Sequence, residues 1–93
     1  MLFFLNKTQP NVLGLIRLLG GGESKAVLLV GDGTFYATSS ITQKFNEIGV
    51  ERIYVSKEDI EVRDLQVSAD CEIVDYDRIV SLIMEEHEKV VSI

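Results

Sequence analysis

Cysteine and histidine are nearly absent from this sequence of 93 residues, which contains only Cys71 and His87. A single cysteine excludes a disulfide within the chain and a zinc site that uses several cysteines of one chain. A single histidine excludes a histidine-rich metal site within a monomer. The sequence therefore predicts a protein with no metal site and no bound cofactor.

Basic residues are also few, with nine Lys and Arg against fifteen Asp and Glu and a net charge of −6. Binding to nucleic-acid phosphates needs clustered Lys and Arg, so we expect no direct contact with nucleic acid. No apolar run approaches the roughly 18 residues that span a bilayer. The apolar start, Met1–Leu5, lacks the basic segment and the small-residue cleavage site of a signal peptide. We therefore expect a soluble, cytoplasmic protein without membrane contact.

The main pattern that is present is an alternation of apolar runs with amphipathic segments along one domain, residues 1–93. Five apolar runs are predicted as strands, at 1–5, 25–30, 52–55, 72–74 and 89–93. Helices are predicted between them, at 11–19, 39–48, in a short segment after Ser56, and at 75–86. Alternation of this kind is typical of a parallel sheet with helices on both faces. The predicted fold class is α/β, a three-layer α/β/α sandwich with a five-stranded, mainly parallel sheet.

Two polar residues mark the expected starts of the later helices. Ser56 and Asp75 each precede a predicted helix, and both are typical N-cap residues. In the last helix Ile79, Leu82 and Ile83 share one face, which we expect to be buried. His87 follows at the carboxyl end of this helix, where a lone histidine favours an interaction with the helix dipole over catalysis.

The stretch Gly31-Asp32-Gly33 ends the second apolar run and is followed by Phe35 and Tyr36. Glycines after a strand let backbone N–H groups approach an anion, so one hypothesis is a small anion- or nucleotide-binding module. The established phosphate fingerprints are missing, however, and Asp32 would repel phosphate. The alternative is a tight turn between a strand and a helix. In either case, sites form at the carboxyl ends of parallel strands, so we expect this loop on the functional edge.

Cys71 is the only candidate sulfur nucleophile. A reactive cysteine needs a cationic neighbour or a helix N-terminus to lower its pKa. Its sequence neighbours are Asp70 and Glu72, which stabilise the thiol over the thiolate. It also stands at the start of a predicted strand, at the edge of the sheet opposite the glycine-containing loop. These features favour a structural cysteine, and a persulfide carrier acting through Cys71 is the alternative.

The first predicted helix is apolar around most of its circumference. Between residues 12 and 19 the only clearly polar side chain is Arg17. One sheet face covers about half of such a helix, and soluble monomers rarely expose the remainder. We therefore predict self-association as a homodimer, in which the helix contributes to the interface through Val12, Leu13, Leu15, Ile16 and Leu19, with Leu18 beside them. Deep burial of the helix within a monomer is the alternative.

Four segments, in order and with similar spacing, resemble the TusB/DsrH family of sulfur-relay proteins. LFFLNKTQP is similar to the family's opening strand and its Asn-Lys-Ser/Thr segment. AVLLVGDGTFYAT is similar to its next apolar strand, Asp-Gly and aromatic-Ala segment. RIYVSKEDIEVRDL and IVDYDRIVSLIMEEHEKVVSI are similar to its following strand and to its closing Asp-Tyr, helix and strand. The resemblance covers nearly the whole chain and implies the DsrE/DsrF/DsrH-like fold.

The resemblance also implies a role as a subunit of an intracellular relay that passes persulfide sulfur. In such relays TusB works with TusC and TusD toward thiolation of the tRNA wobble uridine, and DsrH works with DsrE and DsrF in sulfur oxidation. Some DsrH members carry a cysteine in the first helix, where this sequence reads LIRL at residues 15–18. Cys71 stands elsewhere and inherits no role from the family.

These implications favour an accessory subunit without catalytic activity of its own. Its expected partners are TusC/TusD-like or DsrE/DsrF-like subunits. In this interpretation Asp32, Phe35 and Tyr36 shape contacts rather than perform chemistry.

Overall fold

The computed structural model describes residues 1–38 and 41–93, and it contains one five-stranded sheet, with the strands β1 (Leu2–Leu5), β2 (Lys25–Leu29), β3 (Val50–Ser56), β4 (Cys71–Val74) and β5 (Val90–Ser92). All four neighbouring strand pairs are parallel. The α/β fold and the parallel sheet predicted from the sequence are therefore confirmed. Across the sheet the strand order is β4-β3-β2-β1-β5.

The helical elements connect these strands in the predicted alternation. They are α1 (Val12–Gly20), a 3-10 helix (Gly31–Thr38), α2 (Ile41–Glu47), α3 (Lys57–Val62) and α4 (Tyr76–Ser81), which continues as a π-helical segment (Leu82–Glu86). The predicted second helix starts at Ser39, which with Ser40 lies outside the described residues. None of the described helices is both long enough and apolar enough to cross a bilayer.

The connections place three helices on one face of the sheet and one helix on the other. The chain steps from β1 to β4 in one direction across the sheet and then returns to β5 on the far side of β1. Because parallel crossovers are right-handed, the return places α4 and its π-helical segment on the opposite face from α1, α2 and α3. Packing agrees with this assignment, since α1, α2 and α3 contribute Ile16, Phe45 and Ile60 to one core.

Each face of the sheet has its own core, because side chains alternate along a strand. The larger core includes Phe3, Leu5, Val27, Leu29, Ile53 and Val55 from the strands. The smaller core, under the last helix, comprises Leu2, Ala26, Leu28, Tyr54, Val74 and Leu82. All five residues of β2 are buried, and the four after Lys25 are apolar, as expected for a central strand that is covered on both faces.

Three local predictions need correction. The Gly31-Asp32-Gly33 stretch is not only a tight turn, since it begins the 3-10 helix that runs to Thr38. Ser56 occupies the N-cap position of α3, but its side chain makes no capping hydrogen bond. The last helix reaches Glu86 as predicted, but its final five residues are π-helical. The predicted cap at Asp75 is confirmed, because its carboxylate accepts a 2.9 Å hydrogen bond from the Arg78 N–H.

The predicted interface on α1 also changes. Val12 and Ile16 are buried in the chain's own core, and the side chain of Ile16 is 0 % exposed. Leu13 and Leu15 are half-buried, whereas Leu18 is 78 % exposed and Leu19 is also exposed. Burial within the monomer, the alternative above, thus accounts for Val12 and Ile16. The apolar surface that α1 leaves free is Leu15, Leu18 and Leu19.

Candidate functional site

The loop that follows β2 is held against the end of β1. The Val30 N–H donates to the Leu5 carbonyl oxygen at 3.0 Å. Gly31 has a φ of 51°, a backbone conformation that residues other than glycine rarely adopt. A Cβ atom added to Gly33 would stand 2.1 Å from the same Leu5 carbonyl oxygen. The two glycines are therefore explained by a left-handed backbone and a close approach to β1.

Two carboxylates, Asp32 within the loop and Asp59 of α3, lie at this site. The backbone N–H of Gly31 donates to Asp59 Oδ2 at 3.0 Å, so the group that would face an anion already has a partner. The Arg63 guanidinium connects two carboxylates, with Nη2 3.2 Å from Asp32 Oδ1 and Nη1 3.6 Å from Asp59 Oδ1. Two negative charges with one shared cation repel phosphate. This arrangement disfavours the anion- or nucleotide-binding hypothesis for Gly31, Asp32 and Gly33.

The two aromatic residues of the loop differ in their surroundings. Tyr36 is buried, and its hydroxyl donates to the Gln9 carbonyl oxygen at 3.0 Å and accepts from the Gln9 N–H at 2.6 Å. Its ring also meets Phe45 edge-on, with centroids 6.0 Å apart. Tyr36 thus fixes the connection between β1 and α1, whereas the exposed ring of Phe35 is available to a partner.

Three exposed side chains and one half-buried side chain form what we call the carboxyl-edge surface, defined by the exposed Asp32, Phe35 and Val62 and the half-buried Arg63. All four belong to the segments that leave the carboxyl ends of β2 and β3. Phe35 and Val62 are exposed apolar side chains, and Asp32 and Arg63 form an ion pair beside them. Of the loop residues predicted for the functional edge, Gly33 and Tyr36 are buried and Asp32 and Phe35 are exposed.

Cys71 lies away from this surface. It is the first residue of β4 and pairs with Ile53, in the middle of β3. Cys71 is at the start of its strand as expected, but this start is level with the middle of β3 and not with the amino ends of the other strands, because β4 is short and begins late in the register. Cys71 is half-buried and packs against the larger core. Burial, together with the negative charge of Asp70, raises the pKa of its thiol from 9.0 to about 11.

We predict that alkylation of Cys71 by iodoacetamide keeps accelerating up to a pH near 11, because the thiolate is the reactive species. The measurement is the alkylation rate against pH, followed by intact mass. A half-maximal rate at or below about 8.5, the value of a free cysteine, would contradict the prediction. The folded state holds the Cys71 proton more tightly than the unfolded state does. Protonation of Cys71 therefore adds to the free energy of unfolding below pH 9.0, and this contribution is lost as the pH rises toward 11.

His87 follows the π-helical segment and is half-buried. Burial is the main cause that lowers the pKa of its imidazole below 6.5. The ring is therefore mostly neutral at pH 7, and a neutral ring supplies no cation to the end of the helix. The expected interaction with the helix dipole is not supported.

The face of the sheet under the last helix contains a feature that the sequence did not reveal. A cavity of about 470 Å³ lies between the amino ends of β2 and β3 and the last helix. Four charged side chains alternate beside it, with Arg52 and Arg78 each 3.9 Å from Glu72 and with Arg78 paired to Glu86. The guanidinium of Arg78 also stands 5.8 Å from the centroid of the Tyr54 ring.

This alternating cluster lies on the face of the sheet that is packed, in the described part of the chain, against the last helix. Its two cations and two carboxylates balance, so the cluster itself favours no ligand of a single charge. A sequence signal did exist, since Arg52 and Glu72 interrupt apolar strands at positions that point to this face. Their partner Arg78 comes from the helix, and no local pattern predicts that contact.

Comparison with known proteins places the chain in a family. The family model described as "DsrH like protein" matches residues 9–90. No curated protein matches the sequence. The matched range includes Gln9, whose backbone holds Tyr36, the whole glycine-containing loop, and every strand except β1 and the last two residues of β5. Because the match extends over most of the sequence, the chain belongs to the DsrH-like family.

Proposed function

We propose that this chain is an accessory, non-catalytic subunit of a sulfur relay that passes persulfide sulfur between cysteine thiols. The observation that carries the proposal is the state of its one cysteine. A relay thiol must attack as a thiolate, and burial together with the charge of Asp70 raises the pKa of the Cys71 thiol to about 11, which favours the unreactive thiol at pH 7. The sulfur-carrying thiol of such a relay must then belong to another subunit.

Membership of the DsrH-like family supports the proposal of a multi-subunit sulfur relay, since proteins of this family act in complexes with other sulfur-relay subunits. In our proposal the partners are TusC/TusD-like or DsrE/DsrF-like subunits. The corresponding settings are thiolation of the tRNA wobble uridine and sulfur oxidation. The carboxyl-edge surface supplies an exposed aromatic ring and an ion pair for contact with a partner, and Cys71 takes no part in the chemistry.

We also propose that the isolated chain self-associates as a homodimer through the part of α1 that remains free. Leu18 and Leu19 are exposed apolar side chains, Leu15 lies beside them, and Arg17 is the one charged neighbour on the helix. In a cell that contains related subunits, the same surface is available for a heteromer.

The proposed function predicts that sulfur passes through the complex without becoming attached to this chain. The complex with TusC/TusD-like or DsrE/DsrF-like subunits is incubated with a persulfide donor, and each chain is then weighed intact by mass spectrometry. We expect the mass increase of one sulfur atom on a partner and none on this chain. A Cys71→Ser complex should transfer sulfur at the rate of the unmodified complex.

Sulfur attached to Cys71, or loss of transfer in the Cys71→Ser complex, would establish the carrier alternative. A complex that lacks the partner's thiol is the control, because it should stop transfer under the same conditions. The two settings are separated in cells that lack this chain, by measuring 2-thiouridine in bulk tRNA and the rate of sulfur oxidation.

A further inference from the structure

The outer side of the last helix carries an apolar stripe that has no cover within the described part of the chain. The stripe consists of Tyr76, Val80 and Met84, which are spaced four residues apart. Side chains at this spacing lie along one side of a helix. Tyr76 is 68 % exposed and Met84 is 75 % exposed, and Val80 between them is exposed as well. The smaller core beneath the helix uses other residues, chiefly Leu82, Ile79 and Ile83.

The charges beside the stripe are of one sign. Asp77 and Glu85 are exposed next to it on the helix. The only basic residue between positions 76 and 86 is Arg78, which turns toward the sheet and pairs with Glu72 and Glu86. The exposed side of the helix therefore presents apolar side chains flanked by carboxylates, and the one basic residue of the helix points away from it.

The apolar stripe and the carboxylates beside it indicate which kind of molecular surface can bind there. Tyr and Met are enriched at protein interfaces, and Met adapts its shape to a partner. Carboxylates beside the stripe attract Lys and Arg and repel anionic surfaces, which disfavours lipid headgroups and nucleic acid. A second copy docking through the same helix is also disfavoured, because Asp77 and Glu85 of the two copies would face each other without a cation.

We propose that the stripe of Tyr76, Val80 and Met84 is the docking site for a different protein chain, one that presents an apolar helix face edged by Lys or Arg. The inference rests on the proposed function only for the choice of partner, a DsrE-like or DsrF-like subunit of the same relay. It adds a contact surface on the face of the sheet opposite α1. The assembled relay then holds this chain on two sides, through α1 and through the last helix.

The test measures binding alone, with no sulfur transfer, between the purified chain and the purified DsrE-like and DsrF-like subunits. Met84→Glu should weaken binding at least tenfold, and hydrogen exchange at residues 76–86 should slow in the unmodified complex. Ile73→Glu is the control, since Ile73 is an exposed apolar residue of β4 that lies outside the carboxyl-edge surface, α1 and the last helix, and it should leave binding within about twofold. Asp77→Lys with Glu85→Lys should weaken binding and remove its sensitivity to salt.

Other results overturn the inference in distinguishable ways. If the unmodified chain binds a partner and Met84→Glu binds equally well while remaining folded, the surface is wrong and the proposed function stands. Tighter binding by the Asp77→Lys, Glu85→Lys variant would show that the partner is acidic and defeat the proposed chemistry. If the unmodified chain binds neither subunit, both the docking site and the proposed function fail.

Discussion

Replacing Gly33 with alanine is expected to lower the free energy of unfolding by about 3 kcal/mol or more. The new Cβ would stand 2.1 Å from the Leu5 carbonyl oxygen and 2.8 Å from its carbon. Both atoms belong to the backbone of β1, which pairs with strands on both sides and has little freedom to move. Urea denaturation followed by circular dichroism measures the change, and a chain of this size should also lose roughly 12 °C or more of melting temperature.

Gly22→Ala is the matched control for this experiment. A Cβ at Gly22 meets no atom within 4 Å, so the same chemical change should alter stability by no more than about 0.5 kcal/mol. If Gly33→Ala unfolds at the same urea concentration as Gly22→Ala, the 3-10 helix does not pack against β1 as described. The loop after β2 would then be free to adopt another shape, and the argument against anion binding there would lose its basis.

Ile16→Glu is expected to cost at least about 4 kcal/mol of stability, and Leu18→Glu about 0.5 kcal/mol or less. The two residues lie two positions apart on α1, but Ile16 is 0 % exposed in the larger core and Leu18 is 78 % exposed. A carboxylate at position 16 would be buried without a partner, whereas at position 18 it would remain in water. Thermal or urea unfolding of both variants and of the unmodified chain, at a protein concentration low enough to keep each of them monomeric, decides between these environments.

The same pair of variants tests the proposed homodimer. Sedimentation equilibrium of the unmodified chain at micromolar concentration should give the mass of two chains, and folded Leu18→Glu should give the mass of one. A single-chain mass for the unmodified protein would defeat the homodimer. A folded Leu18→Glu dimer would preserve the homodimer but remove α1 from its interface. Equal stability of the two variants would mean that α1 is rotated from the orientation described above.

The strands were predictable because buried strands appear in the sequence as runs of apolar residues. After Lys25, the residues of β2 are apolar and buried, so residues 26–29 appear as an uninterrupted apolar run. Asp75 was predictable as a cap because its hydrogen bond reaches only to the nearby Arg78 N–H. The strand order leaves no such pattern in the sequence, because it depends on pairing between segments that are distant along the chain.

The site was less predictable for the same reason. A glycine is required at position 33 because any Cβ atom there would clash with the Leu5 carbonyl oxygen at the end of β1. The sequence alone does not show that these two residues are close. The apolar helix α1 was predicted to need a partner, yet most of its buried surface faces the sheet of the same chain. Asp59 was not singled out for the loop, although its carboxylate accepts the Gly31 N–H. Each of these contacts joins residues whose proximity is set by the tertiary fold.

The position of β1 has a consequence for how the protein is made. β1 lies between β2 and β5, so among these five strands the first to be synthesised is a neighbour of the last. β2 can cover one side of β1 early, but the other side keeps unpaired backbone groups until β5 emerges. An open strand edge with apolar side chains is a template for pairing with other nascent chains. Synthesis that stops before residue 90 should therefore yield aggregates instead of a smaller folded domain.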